Sequence, residues 1–136
     1  MTCKLPLRAD HVGSFLRPQS VLEARDALAA GSITPATLRA VEDEAIAELV
    51  AWQEGLGLAA ITDGEFRRKF FHTDFLLQLS GVEERGGMAK AFKNDAGKDV
   101  SFAPPVMVVT GRIGHVKPIQ LADYQFLAGR VSRTPK

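Results

Sequence analysis

An α/β fold with parallel strands is what this sequence predicts, and three observations carry that expectation. A short apolar run, Leu58 to Ile61, lies between Gly57 and Gly64 and reads as a buried strand. A long apolar stripe at helical spacing precedes it. The element order, strand, helix, helix, strand, helix, is that of chains that lay helices against parallel strands. A free-standing parallel sheet needs more strands than the sequence supplies, so the chain reads as a piece of a larger fold.

Residues 1–8 form a lead-in. Residues 9–14, within Ala9-Asp10-His11-Val12-Gly13-Ser14-Phe15, read as a first short strand ending at Gly13-Ser14. Pro18 to Ala30 reads as a helix, with Val21, Leu22, Arg25 and Leu28 at three- and four-residue spacing and Gly31 as its C-terminal cap. Thr34 and Pro35 are the N-cap and first residue of the next helix. Leu38, Val41, Ala45, Leu49, Trp52 and Leu56 make its stripe, which places Trp52 in the core. Glu42, Asp43 and Glu44 sit toward its positive end.

The apolar run follows as a strand over 58–62. Residues 70–79 read as a further helix stopped by Gly81, with His72 a partly exposed residue on it. His72 and Asp74 are two apart and do not share a helical face, so they are no metal pair. Residues 83–105 are charged and glycine-rich and read as a hairpin turning at Asp95-Ala96-Gly97. Val106 to Ile113 is the strongest β-forming run. A helix is expected within 118–129, and the basic tail 130–136 looks unfinished.

A hydrophobic fraction of 46% permits a core, and a formal net charge of +1 gives no general pull toward nucleic acid or membrane. Apolar stretches fall far short of the roughly 18 residues of a membrane span. The single cysteine, Cys3, cannot form an internal disulfide, which fits a cytoplasmic location. It has no ligand partner nearby in sequence.

Two strand ends carry the candidate chemistry. Gly13 and Ser14 offer exposed backbone N–H groups and a hydroxyl suited to a carboxylate or phosphate, or form a plain turn. The second strand stops in Asp63, Gly64, Glu65, Arg67 and Arg68. Ligands of parallel α/β folds bind at the carboxyl ends of strands. The alternative is a solvated turn whose charges pair with one another.

Three segments, His11-Val12-Gly13-Ser14-Phe15-Leu16-Arg17-Pro18, Gln53-Glu54-Gly55-Leu56-Gly57-Leu58 and Thr62-Asp63-Gly64-Glu65-Phe66-Arg67-Arg68, together resemble the catalytic domain of cobalamin-independent methionine synthase. They are closer to its short, single-barrel relatives. The resemblance covers nearly the whole chain, loosely over 83–105. It implies a (β/α)8 TIM barrel of typically about 250 residues, with the active site at the carboxyl face. This chain would then be the N-terminal part, residues 1–136 of one incomplete barrel domain, with two barrel strands and an inserted β-hairpin excursion at about 83–117.

The reaction implied is methyl transfer from 5-methyltetrahydrofolate, usually polyglutamylated, to the sulfur of homocysteine. The family uses zinc, which deprotonates the thiol, and no cobalamin. Carried over residue by residue, Val12, Gly13 and Ser14 meet the homocysteine carboxylate and Glu65 takes its ammonium group. Asp63 receives no binding role, and pairing within the protein is the reading for Arg67 and Arg68. The family's zinc ligands and its proton-donating histidine come from later strands; Cys3, His72 and His115 do not match them. The chain by itself is therefore expected to be inactive and poorly folded. A complementing chain or homo-oligomer is one expected partner class, alongside homocysteine and a methylated folate. The alternatives are a non-catalytic amino-acid-binding or complementing module of a split barrel, and a barrel enzyme of the uroporphyrinogen decarboxylase type.

Overall fold

A computed structural model describes residues 9–70, 72–87, 90–95, 97–103 and 105–136. Cys3 and the lead-in lie outside the described residues, as do Phe71 of the expected third helix and Ala96 of the expected turn. The chain divides into two compact units, Met1–Arg68 with Gln120–Lys136, and Lys69–Ile119.

The first unit holds α1 (Gln19–Ala29), α2 (Pro35–Gly55), β1 (Ala60–Ile61), α4 (Leu121–Ala128) and β6 (Thr134–Pro135). Pro18 stands at the N-cap of α1 rather than inside it. Beyond the last turn of α1, Gly31 N–H donates to Leu28 O at 3.0 Å and Ser32 N–H to Ala27 O at 2.8 Å, a Schellman ending. Thr34 caps α2 as expected, its Oγ1 accepting from Thr37 N–H at 3.1 Å.

The buried face of α2 is Glu42, Ala45, Ile46, Val50 and Gln53. The expected stripe is thus rotated. Ala45 is buried and Val41 and Leu49 pack against the core, but Trp52 is 53% exposed and touches Phe15 edge-on at 5.7 Å. Two polar residues occupy the interior face in its place, because partners wait there for both. Val21, Ala45, Ile46, Val50, Ile61, Phe66 and Leu127 form the core cluster. Fully burying one such aliphatic side chain is worth about 1.5–3 kcal/mol.

The strands differ most from expectation. Residues 9–14 are not a strand; Phe15 N–H reaches Gly64 O at 3.2 Å, and the segment has no ladder to join. The expected strand at 58–62 is a ladder of two residues, parallel to β6 in the register Ala60↔Thr134 and Ile61↔Pro135. The tail that looked unfinished supplies its partner. Thr134 N–H donates to Ala59 O and Lys136 N–H to Ile61 O, at 3.3 and 2.8 Å. β1 is short because only residues 134–135 pair with it.

The second unit holds α3 (Thr73–Leu76), β2 (Ser80–Arg85), β3 (Lys90–Lys93), β4 (Asp99–Phe102) and β5 (Val106–Gly114). The helix expected over 70–79 is a single turn. Asp74 takes the preceding N–H groups of Lys69 and Phe70 at 2.6 and 3.2 Å, and i→i+3 turns follow at Gln78 and Leu79. His72 stands at the N-cap of α3 and is exposed. β3 and β4 form the expected hairpin, closed by Asn94 N–H to Lys98 O at 3.0 Å and Lys98 N–H to Asn94 Oδ1 at 2.9 Å. β2 and β5 pair antiparallel, with the register shifting between Ser80 and Val82.

Gly81 sits at that irregularity with φ of +74°. A Cβ there would fall 2.6 Å from Arg112 O and 2.8 Å from Gly111 O, both rigid backbone atoms of the paired strand. Gly81→Ala is therefore expected to destabilise the β2–β5 ribbon by at least about 2 kcal/mol. Amide hydrogen exchange across 80–114 checks this; unchanged protection would contradict it.

Candidate functional site

β1 delivers the chain into the turn Thr62-Asp63-Gly64-Glu65, and a buried amide fixes how it arrives. Gln53 is 0% exposed. Its Nε2 donates to Thr62 O at 2.8 Å and to Leu49 O at 3.3 Å, and its Oε1 accepts from Thr62 N–H at 3.1 Å. The side chain thus does for Thr62 what a neighbouring strand would do, satisfying donor and acceptor together. The next residue, Glu54, accepts from Ser132 N–H at 2.7 Å and Ser132 Oγ at 3.0 Å, tying the end of α2 to the approach to β6. These Ser132 bonds hold the Glu54 carboxyl below its ordinary value.

Beyond Thr62 the turn closes on itself. Gly64 N–H donates to Thr62 Oγ1 at 3.1 Å and Glu65 N–H to Asp63 Oδ1 at 2.9 Å. Asp63 thus shapes the turn. Gly64 has φ of +68° and its Cα faces Leu49 and Phe66 with no room for a side chain. Glu65 also lies in the left-handed region, with φ of +57°. For a non-glycine residue this conformation stores strain of about 1–3 kcal/mol, a feature that gathers at functional positions. Its half-buried carboxylate lies 3.7 Å from Arg68 Nη1.

The other predicted half comes to the same place. Val12 is 83% exposed, Gly13 and Ser14 are exposed, and Gly13 has φ of +88°. The Phe15 N–H bond to Gly64 O joins this loop to the Glu65 turn. Arg17 Nη2 adds bonds to Glu65 O at 3.2 Å and Arg68 O at 2.6 Å. Arg25, from α1, donates to Phe66 O at 2.6 Å and Arg68 O at 3.2 Å. His11 stacks on the Phe15 ring at 3.6 Å.

Arg67 turns inward instead of toward Glu65. Its side chain, 6% exposed, bonds Glu42 Oε2 at 3.3 Å and Asp43 Oδ1, lies 3.4 Å from Asp123 Oδ1, and sits over the Phe126 ring. Arg39 meets the same Asp123 at 2.5 Å. Burial raises the Glu42 carboxyl above its ordinary value, against the opposing pull of Arg67 and then Arg25. Glu42 and Asp43 thus serve this ionic cluster. The sequence reading paired Arg67 and Arg68 within the protein with Glu65 as the partner; Arg68 lies beside Glu65, whereas Arg67 pairs with Glu42 and Asp43. It gave no role to Gln53 or Arg17, although both lie in the quoted motifs. A glutamine at helical spacing from Ile46 and Val50 was the signal for Gln53.

Among the described residues no group of three or more His, Cys, Asp or Glu side chains is placed to hold a metal ion. The described residues therefore do not fit the zinc that the resemblance implies, and no chemical step is derived through it. No described helix is long and apolar enough to cross a membrane.

Comparison with known proteins agrees with the motifs. The uncharacterized protein YxjH of Bacillus subtilis is 44% identical over 125 residues, which are 91% of this chain and 32% of that protein. The 5-methyltetrahydropteroyltriglutamate–homocysteine methyltransferase of Caulobacter vibrioides is 30% identical over 132 residues, 96% of this chain and 16% of that enzyme. A solved Listeria monocytogenes protein, described as a candidate vitamin-B12-independent methionine synthase, superposes with a TM-score of 0.71 at 35% identity. The chain is homologous to part of the cobalamin-independent methionine synthases. It covers 34% of the Listeria chain, and so spans about a third of the length of the relatives it matches first. The methionine synthase resemblance thus rests on sequence and backbone together, while no family model matches the chain.

Two outcomes follow from the turn. Gln53→Leu strands the N–H and C=O of Thr62 in the interior and is expected to cost about 3 kcal/mol, read as a lowered thermal midpoint. The second concerns Glu54, whose folded carboxyl lies below the ordinary 4.5. Its contribution is fully present above 4.5 and fades as pH falls through the folded value. Glu54→Gln is expected to flatten that part of the acid stability curve and leave its neutral slope unchanged, as thermal melts at stepped pH will show.

Proposed function

We propose that this chain carries one part of a methionine synthase-like TIM barrel, and that Val12, Gly13, Ser14 and Glu65 hold the amino-acid end of homocysteine. One observation carries the reading: the Phe15 N–H bond to Gly64 O brings the two motif loops together. The backbone of 12–14 and the Ser14 hydroxyl meet the α-carboxylate as donors. The Glu65 carboxylate accepts from the α-ammonium, a charge-assisted bond roughly twice as strong as a neutral one. These groups bind and orient the amino acid, leaving its thiol arm to point away from the turn.

The reaction of the whole barrel is methyl transfer from 5-methyltetrahydropteroyltriglutamate to the homocysteine sulfur. This reading is supported by the names of the relatives and by the three motifs. The chain's described residues supply recognition of the substrate, and the groups that act on its sulfur are assigned to other parts of the barrel. A non-catalytic amino-acid-binding or complementing module of a split barrel is the second reading, resting on the same junction of the two loops. Both readings use the same amino-acid site.

Titration of the chain with L-homocysteine, followed by amide NMR, tests the site. Shifts are expected at residues 12–14 and 64–65 with a Kd on the order of 1 mM. The D-enantiomer should bind more weakly. Glu65→Gln should weaken binding by at least about tenfold, matching the loss of one charge-assisted bond. Binding indifferent to Glu65→Gln, or shifts confined to other residues, would overturn the assignment.

A further inference from the structure

We propose that Arg17 is a positioning residue of this site: it locks the Gly13-Ser14 loop and the Glu65 turn at one spacing, so that both ends of an α-amino acid are recognised together. The inference rests on the amino-acid reading above and adds the device that makes two weak half-sites act as one.

The geometry is specific to this residue. Phe15 N–H bonds Gly64 O, and two residues later Arg17 Nη2 bonds Glu65 O and Arg68 O at 3.2 and 2.6 Å. The loop that carries Gly13 and Ser14 therefore grips consecutive carbonyls of the turn, 64 and 65, and a third at 68. Arg25 shares the carbonyl of Arg68 but comes from α1 and bonds Phe66 O instead of Glu65 O. Arg17 thus links the candidate carboxylate-binding loop to the backbone of the candidate ammonium-binding residue, whereas Arg25 links α1 to Phe66 and Arg68.

Arg17 takes the backbone carbonyl of Glu65, and the Glu65 carboxylate lies 3.7 Å from Arg68 Nη1. The Glu65 backbone is thereby held from the loop that carries Gly13 and Ser14. This matters because Glu65 sits at φ of +57°, a conformation that persists only where surrounding bonds over-determine it. A guanidinium stays charged at every working pH and its bonds to carbonyl oxygen are charge-assisted. A single nitrogen, Nη2, serves both carbonyls, so a lysine ammonium can replace part of the grip.

Two half-sites at a fixed spacing give a bifunctional ligand an affinity beyond that of either single function, and a loose spacing loses that gain. The test compares L-homocysteine with its des-amino and des-carboxy analogues in NMR titrations of the wild-type chain, Arg17→Ala and Arg17→Lys. In wild type, homocysteine should bind more tightly than either analogue. Arg17→Ala should reduce that preference about tenfold while the analogues' own affinities stay unchanged, and Arg17→Lys should keep most of it. A purely structural role would weaken all three ligands in parallel, and that result, or no change at all, would overturn the proposal.

A ligand-free measurement separates the two readings. The Phe15 amide should exchange about tenfold faster in Arg17→Ala, and near the wild-type rate in Arg17→Lys. If wild type binds no homocysteine, the amino-acid reading fails; faster Phe15 exchange would then still support the clamp between the loops. Unchanged Phe15 exchange would overturn the clamp whether or not the amino acid binds. If Arg17→Ala does not fold, Arg17→Gln provides the same comparison with a shorter, uncharged donor.

Discussion

The candidate site depends on one buried amide. Gln53 lies on the interior face of α2, where an apolar residue would ordinarily sit, and closes both backbone groups of Thr62. Removing either bond would leave a partly buried backbone polar group without its partner. The bond pair therefore sets the height and direction at which the chain enters the Asp63-Gly64-Glu65 turn. Everything downstream inherits that placement: the Asp63 bond to Glu65 N–H, the left-handed Glu65, and the Gly64 carbonyl that receives Phe15.

A second constraint acts from the other side of the turn. Arg67 draws on α2 through Glu42 and Asp43, and on α4 through Asp123. Desolvating such a cluster opposes much of its Coulombic gain, and burial raises the Glu42 carboxyl against the pull of Arg67 and Arg25. The cluster nevertheless ties the turn to both α2 and α4 through one buried side chain. Adjacent arginines thus take opposite tasks: Arg67 anchors the turn inward, and Arg68 stays beside Glu65 at the surface.

Much of this was legible in the sequence where the signal is local. Thr34-Pro35 announced the start of α2, the ending at Gly31 closed α1, and the Asn94–Lys98 region turned as a hairpin. These depend on neighbours within a few residues. The strands were read less well because a strand is made by its partner. Residues 9–14 have strand-like composition and no ladder, whereas Thr134-Pro135, in an unpromising basic tail, pairs with β1. Trp52 was misplaced because apolarity alone assigned the face of α2, and polar Glu42 and Gln53 had partners inside that periodicity cannot reveal. The motifs pointed to Val12–Ser14 and Glu65; the hydrogen bonds between their loops needed coordinates.

The first unit is discontinuous, and that bears on the order in which it can form. Its β1 finds a partner only at Thr134-Pro135, and Leu127 belongs to its core cluster. The second unit lies wholly between them, at Lys69–Ile119. A ribosome synthesises from the N-terminus at about 5–20 residues per second. The β2–β5 ribbon and the β3–β4 hairpin have all their residues available before the first unit has its last strand. During translation the part of the core that Leu127 covers stays open until α4 emerges, while the contiguous unit already has all its residues.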